Sequence, residues 1–156
     1  MAARVLELAD AVVVAIQAGW DDPAPATVSR VYLFDVPDSD LGLRSVEGRQ
    51  VYVFPAGIAD AGLVTRNTSQ TEYRIAVLIV ERYTEPGDPP SSWVDDRVTW
   101  VETEIWNKLS AFNALASQER GVWAETAESV SIYDAAILRE HRCFWSEFEF
   151  AYREDA

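Results

Sequence analysis

The stretch YRIAVLIVERY, residues 73–83, decides the fold of this 156-residue chain. At its centre six consecutive apolar residues, 75–80, are flanked by charged ones. A continuous apolar run of this length predicts a long strand that is buried on much of both faces. The other elements are placed relative to this strand.

The residues before this strand predict one helix and two further strands. Apolar side chains recur at steps of three and four over residues 3–18, which is typical of an amphipathic helix. β-Branched and aromatic residues over 28–37 and 49–55 predict strands. Residues 55–72 show no clear periodicity, so we expect a long loop that is functional or disordered.

The best helix of the sequence follows the central strand. After three prolines, Ser91 or Ser92 is expected to cap it. One apolar stripe runs along the helix: Val94, Val98, Val101, Ile105, Leu109 and Phe112. Asp95 and Asp96 are expected in its first turn, where negative charge favours the helix dipole.

The last third of the chain predicts two more strands. Residues 113–128 are interpreted as a helix end and a loop around Gly121, and residues 129–134 as a short strand. A turn or brief helix over 134–142 leads to a closing strand, 143–154. One face of that strand carries Phe144, Ser146, Phe148, Phe150 and Tyr152.

Together these elements predict an α+β fold in a single domain, residues 1–156. With no βαβ rhythm, the sheet is expected to be mostly antiparallel, with four to five strands and two main helices packed on one face. A chain of this length buries enough surface to fold without a disulfide or a metal.

Composition excludes several function classes. The formal net charge is −13, from 13 Lys+Arg against 26 Asp+Glu. Such a surface repels phosphate backbones and anionic lipids, so tight nucleic-acid binding is disfavoured.

Cys143 is the single cysteine, which excludes an intrachain disulfide and favours a reducing site of synthesis. The apolar N-terminal run contains Glu7 and Asp10, so neither a signal peptide nor a membrane span is expected.

The charge is uneven along the chain. Between residues 44 and 74, Arg44, Arg49, Arg66 and Arg74 face three acids, a balance of +1 that leaves −14 for the rest. Acidic flanks around a near-neutral middle suit a molecule that uses different surfaces for different contacts. An ordinary solvated acidic surface explains the same pattern, and the sequence leaves both interpretations open.

Three tryptophans lie in the helix that is predicted after the central strand. Trp93 and Trp100 lie seven residues apart on a flank of the stripe, whereas Trp106 points elsewhere. They either cover the edge of the sheet or anchor a subunit interface, where tryptophan is enriched. With Arg49, Arg66 and Arg74 they form our candidate set for a subunit or partner interface.

The sequence assembles no catalytic set, and we expect no enzyme, no metal site and no cofactor. His141 and Cys143 lie two positions apart, but no third residue to orient them is identified. Close carboxylates such as Glu147 and Glu149 arise by chance among 26 acids. Phosphate-binding glycine motifs and zinc-protease motifs are absent from the sequence.

The order of elements resembles the tail terminator, or tail completion, proteins of long-tailed bacteriophages and related minor tail proteins. The resemblance covers nearly the whole chain: the helix ELADAVVVAIQAGW, the strands VYLFDVP, RQVYVFP and YRIAVLIVERY, the helix WVDDRVTWVETEIWNKL and the ending EHRCFWSEFEFAYRE. It rests on this order and on the acidic and basic residues before the last strand, not on a signature motif.

The resemblance implies a structural virion protein, made in the host cytoplasm and located at the head-proximal end of the tail. It implies a homo-oligomeric ring, typically a hexamer, that caps the tail tube protein, ends tube polymerisation and docks the head-tail connector or stopper protein. It implies no catalytic residues. Another neck or stopper component is the alternative, followed by an unrelated cytoplasmic binding protein or enzyme.

Two mechanistic hypotheses accompany this function. An acidic inner wall would let DNA pass through the ring without specific binding, while the near-neutral middle contacts the tube or connector. The loop over residues 55–72 would be mobile in the free protein and become ordered on docking.

Overall fold

Five strands form one mixed sheet in the computed structural model, which describes residues 3–18, 27–37, 39–63, 69–110 and 122–155. The strand order is β1-β2-β3-β5-β4. Their bounds are β1 Thr27–Arg30, β2 Arg49–Leu63, β3 Ser69–Arg82, β4 Val122–Ser131 and β5 Cys143–Asp155. Only β1 and β2 run parallel, and the other pairs are antiparallel. The predicted α+β fold is confirmed.

The helices differ greatly in length. Their bounds are α1 Arg4–Gln17, α2 Asp40–Arg44, α3 Ser91–Val101, α4 Asn107–Leu109 and α5 Ala135–His141. A π-helical turn, Glu102–Trp106, joins α3 to α4 without a break. No helix in the described ranges is both long and apolar enough to span a membrane.

The central strand β3 is buried on both faces, as predicted. Ile75, Val77 and Ile79 belong to the larger hydrophobic core, on the face that α1 and α3 cover. Ala76, Leu78 and Val80 alternate with them and belong to a smaller core on the opposite face. Since successive side chains of a strand point to opposite faces, the apolar run serves both cores.

The two main helices pack on one face of the sheet, as predicted. Leu8, Val12 and Ile16 of α1 are fully buried there. The stripe of the second helix contributes Val101, Ile105 and Leu109, which are also fully buried. These helices complete the larger core against the aromatic face of β5, which carries Phe144, Phe148, Phe150 and Tyr152.

The smaller core lies under the short elements. Val36, Leu43 and Val46 from the β1–β2 connection pack with Phe54 and Cys143 on the second face of the sheet. Ile137 of α5 packs against this cluster. The connection from β1 to its parallel neighbour β2 therefore crosses over the sheet, and the expectation of no βαβ unit is wrong at this point.

The predicted loop over residues 55–72 is mostly β-structure. β2 continues to Leu63, β3 begins at Ser69, and the two pair from Arg49↔Glu81 to Leu63↔Ser69. Register shifts at Pro55/Gly57 and Asp60/Gly62 interrupt the alternation, which is why the sequence pattern hid the strand. The hypothesis of a mobile loop is wrong for these paired residues, and residues 64–68 lie outside the described part.

Strand β1 is shorter than predicted. It ends at Arg30 instead of extending to residue 37, and Leu33–Asp35 forms a 3₁₀ turn. The Asp35 carboxylate accepts a hydrogen bond from the backbone N–H of Tyr32 at 3.2 Å, which stabilises the turn. β1 therefore pairs only with residues 50–53 of β2, and the outer edge of β2 beyond them has no partner strand within the described sheet.

Helix α3 also begins differently from the prediction. Its N-cap is Pro90, with no side-chain cap, so neither Ser91 nor Ser92 is the capping residue. Asp95 and Asp96 consequently lie beyond the first turn. Thr103 donates its hydroxyl to the carbonyls of Thr99 and Trp100 within the π turn, a local bond that competes with regular helix geometry. Phe112 lies outside the described residues.

The end of the chain confirms the closing strand and corrects the one before it. β4 starts at Val122, within the region predicted as loop, because its partner β5 supplies the pairing that the local sequence does not indicate. The predicted turn or brief helix is α5. The predicted faces of β5 are confirmed, with Phe144, Ser146, Phe148, Phe150 and Tyr152 all buried.

We predict that Tyr152→Phe maintains or raises stability. The Tyr152 hydroxyl is buried with no hydrogen-bond partner among the described residues, and burial raises the pKa of Tyr152. Removing an unsatisfied buried polar group is neutral or stabilising by up to about 1 kcal/mol. Urea denaturation checks this, with Tyr73→Phe on the paired strand as control. A loss above about 1 kcal/mol would show that the hydroxyl has a partner.

Candidate functional site

The three candidate tryptophans are covered to different extents by the chain itself. Trp100 is only 4% exposed. Trp106 is half-buried, with its ring 5.9 Å from that of Phe148. Trp93 is also half-buried and meets the Tyr83 ring edge-on at 5.1 Å. Trp100 therefore presents almost no surface to a partner, whereas Trp93 and Trp106 retain some.

Arg49, a candidate interface residue, lies inside the protein in a network around Glu81. Its Nε is 2.7 Å from Glu81 Oε1, and Arg97 Nη2 is 2.6 Å from Glu81 Oε2. Both the Arg49 and Glu81 side chains are only 10% exposed. The Arg49 guanidinium also lies 4.5 Å from the centre of the Trp100 ring. This network attaches α3 to the ends of β2 and β3.

Arg74, the second candidate arginine, remains at the surface. Its side chain is half exposed, with Nε 3.0 Å from Glu72 and 3.9 Å from Glu149. Arg66 lies outside the described residues. The structure thus separates Arg49 from Arg74 and does not assemble the near-neutral middle into one described site.

The residues considered as catalytic candidates lie in environments that are typical of residues with a structural role. Cys143 is fully buried, its Sγ lies 3.7 Å from the carbonyl oxygen of Leu43, and burial raises the pKa of its thiol to about 11. Such a thiol is a poor nucleophile because the thiolate is the reactive form. Burial, together with the charge of Glu149, raises the pKa of Glu147. Within the described ranges, no three His, Cys, Asp or Glu side chains gather as a metal site.

Exposed apolar side chains form a first surface in the β1–β2 connection. Phe34 is 84% exposed, and its ring stacks on that of Tyr32 at 5.7 Å. Leu33 and Leu41 of the same connection are exposed as well. We call Tyr32, Leu33 and Phe34 the apolar knob. Apolar side chains collected in this way are typical of protein contact sites.

A second apolar surface is a groove between α3 and the β4–α5 connection. Its volume is about 470 Å³. We call its apolar side chains Val94, Val98, Ile132, Tyr133 and Leu138 the apolar groove; Pro89, Ser91 and Asp95 complete its lining. A smaller recess of about 200 Å³ shares Ile132 and is lined by Trp106, Phe148 and Glu102. The candidate Trp106 therefore contributes to this second surface.

The knob and the groove belong to opposite edges of the sheet. The knob follows β1, the strand at one edge, after a single intervening residue. Ile132 and Tyr133 of the groove directly follow β4, the strand at the other edge. A chain with unlike contact surfaces on its two edges can associate head to tail.

Sequence reasoning missed both surfaces. The sequence predicts a strand over residues 28–37, but β1 ends before Leu33 and Phe34. The adjacent Pro37 and the acids around it were the available signal for a turn at this position. The groove combines residues 94–98 with residues 132–138, and no local pattern indicates that these segments meet.

No family model matches the sequence, and a search of the curated proteins gives no match.

We predict that Glu81→Gln destabilises the protein by about 3 kcal/mol, because it removes the charge that pairs with two arginines in a mostly buried position. Chemical denaturation measures the change. Glu102→Gln, at an exposed position of the π turn, is the matched control, with an expected change within about 0.5 kcal/mol. Equal effects of the two variants would contradict the structural role of the network.

We predict that native Cys143 resists alkylation. At pH 8 a pKa of about 11 instead of 9.0 lowers the thiolate fraction by about 100-fold, and burial slows access further. Because the native thiol holds its proton more tightly than the unfolded one, stability falls as pH rises from about 9 to 11. Iodoacetamide labelling with and without denaturant checks this. Rapid native labelling would contradict the buried position.

Proposed function

We propose that the protein is a structural virion component that forms a homo-oligomeric ring, with six subunits, on the head-proximal end of a phage tail tube. In this function it ends tube polymerisation and offers a docking surface to the head-tail connector. The observation that carries the proposal is the pair of unlike apolar surfaces, the knob and the groove, on opposite edges of the sheet.

A ring requires such an arrangement. A two-fold dimer uses the same patch on both subunits, whereas a closed ring uses two different patches that meet head to tail. Phe34 is 84% exposed, so its ring contributes little to the core of a single domain. A protruding aromatic ring favours burial against a partner. The knob and groove therefore support a role in assembly more than a role in catalysis.

The environments of the reactive groups agree with this role. The thiol of Cys143 is buried and its pKa is raised, so it is not poised as a nucleophile. Glu104, the most buried carboxylate among the described residues, is paired with Lys108 at 2.7 Å. These are the features of groups that stabilise a fold.

The net charge of −13 suits a collar around DNA. An acidic inner wall repels the phosphate backbone, so that the genome passes without specific binding. The exposed Asp96, outside the groove and the recess, is a candidate for such a wall. A ring structure with arginines lining its lumen would contradict this part of the proposal.

The direct test is electron microscopy of the protein mixed with its tail tubes. We expect rings at one end of each tube and an arrest of tube growth when the protein is added during polymerisation. Particles bound to the connector but not to the tube would favour a neck or stopper component instead. An absence of binding to either would overturn the proposal.

Point variants connect this test to the structure. We predict that Phe34→Asp or Ile132→Asp lowers the fraction of capped tubes at least tenfold, because each places a charge in an apolar contact worth about 1.4 kcal/mol or more. Val14→Asp is the control, since Val14 is exposed on α1, outside both surfaces. Equal capping by all three variants would exclude the knob and groove as subunit contacts. Thermal unfolding verifies that each variant is folded.

A further inference from the structure

A cationic pocket of about 270 Å³ opens where β3 ends and β5 begins. We call its lining residues, Arg44, Arg82, Tyr83, Glu140, His141 and Arg142, the cationic pocket. Three arginines and one glutamate line this pocket, although the chain has twice as many acids as bases. This reversal of the overall charge is local, and neither the fold nor the proposed function accounts for it.

Two of these arginines differ from most others in what they bind. Five arginines pair with carboxylates in the described residues: Arg4, Arg30, Arg49, Arg74 and Arg97. Arg82 instead donates to the carbonyl of Val46 at 3.4 Å, and Arg142 donates to the carbonyl of Glu85. A neutral carbonyl positions a guanidinium but does not neutralise it. The charges of Arg82 and Arg142 therefore remain available to an anion.

Arg142 is held rigidly in place. It has left-handed backbone geometry at the end of α5, with φ of 57°. Its N–H donates to Leu138 at 3.1 Å, and its carbonyl accepts from Tyr83 at 2.7 Å. The guanidinium lies 5.4 Å from the centre of the Tyr83 ring. Its Nε is buried with no hydrogen-bond partner among the described residues. A fixed guanidinium loses little entropy when it binds a ligand.

We infer that the cationic pocket binds a phosphate group. A phosphate carries several acceptor oxygens and two negative charges, which several convergent guanidinium forks can satisfy together. A carboxylate offers two oxygens in one plane and uses fewer of these donors. The pocket volume of about 270 Å³ admits a phosphate group with a small substituent. The acidic remainder of the surface disfavours contact along a phosphate backbone, so the group that enters the pocket is free phosphate or the single terminal phosphate of a strand.

This inference is independent of the proposed function, since it uses none of the knob or groove residues. The first experiment is isothermal titration calorimetry of the full chain with inorganic phosphate at low ionic strength, and we expect saturable binding at one site. Acetate and chloride are the competing anions. No heat of binding with phosphate, or equal affinity for acetate, would overturn the inference.

Variants locate the site. Arg82→Gln is expected to weaken phosphate binding at least tenfold, since it removes a charge-assisted contact to the anion. Arg142→Gly should weaken phosphate binding to the same extent. Because glycine readily adopts the left-handed backbone geometry of this position, this variant is expected to fold even if Arg82→Gln does not. Arg139→Gln is the matched control, an exposed arginine of α5 outside the pocket, expected to stay within about twofold. An equal loss of affinity in the control would show that net charge alone explains the effect and would contradict a phosphate site in the pocket.

A second titration separates the two sources of phosphate. A short oligonucleotide with a 5′-phosphate is compared with the same strand without it. Binding at least tenfold tighter with the 5′-phosphate, lost in Arg82→Gln, would assign the pocket to strand ends. Binding of inorganic phosphate without that preference would assign it to the free anion. Equal binding of both strands that survives Arg82→Gln would contradict a role of the pocket in recognising nucleic-acid phosphate.

Discussion

The burial of β3 on both faces is the constraint on which the rest of the structure depends. Its apolar run, residues 75–80, supplies side chains to both hydrophobic cores, so neither face of the strand can be left to water. One face requires the long helices α1 and α3. The other requires the short elements of the β1–β2 connection. The apolar knob results from this second requirement, because the segment that covers the smaller core carries Leu33 and Phe34 on its outer side.

Glu81 connects β3 to helix α3. It stands at the end of the buried strand and pairs with Arg49 of β2 and Arg97 of α3. The pairing fixes how α3 lies on the sheet, and α3 forms one wall of the apolar groove. Trp93 and Trp100, stacked against Arg97 and Arg49, strengthen the same attachment. A buried charge network at one strand end thus positions a surface on another element.

Elements with strong local periodicity were predictable from the sequence. The central strand, the closing strand and the two main helices are all found with the predicted buried faces. The failures share a physical reason, since β4 and the second half of β2 depend on pairing with distant residues and on bulges that break the alternation. The candidate site was predicted less well. Trp100 and Arg49 contact each other inside the protein instead of lying at an interface. The groove could not be predicted because it joins segments more than thirty residues apart.

The β2–β3 hairpin continues well beyond β1, which leaves the outer edge of β2 without a neighbouring strand in the described sheet. An open edge of this length ordinarily invites indiscriminate pairing between molecules. Pro55 removes one backbone donor from this edge, and two bulges twist the strand out of the regular ladder. These features disfavour strand pairing between molecules at this edge, although a long ribbon remains outside the core. The proposed self-association would therefore use side-chain surfaces, which can discriminate between a correct neighbour and an incorrect one.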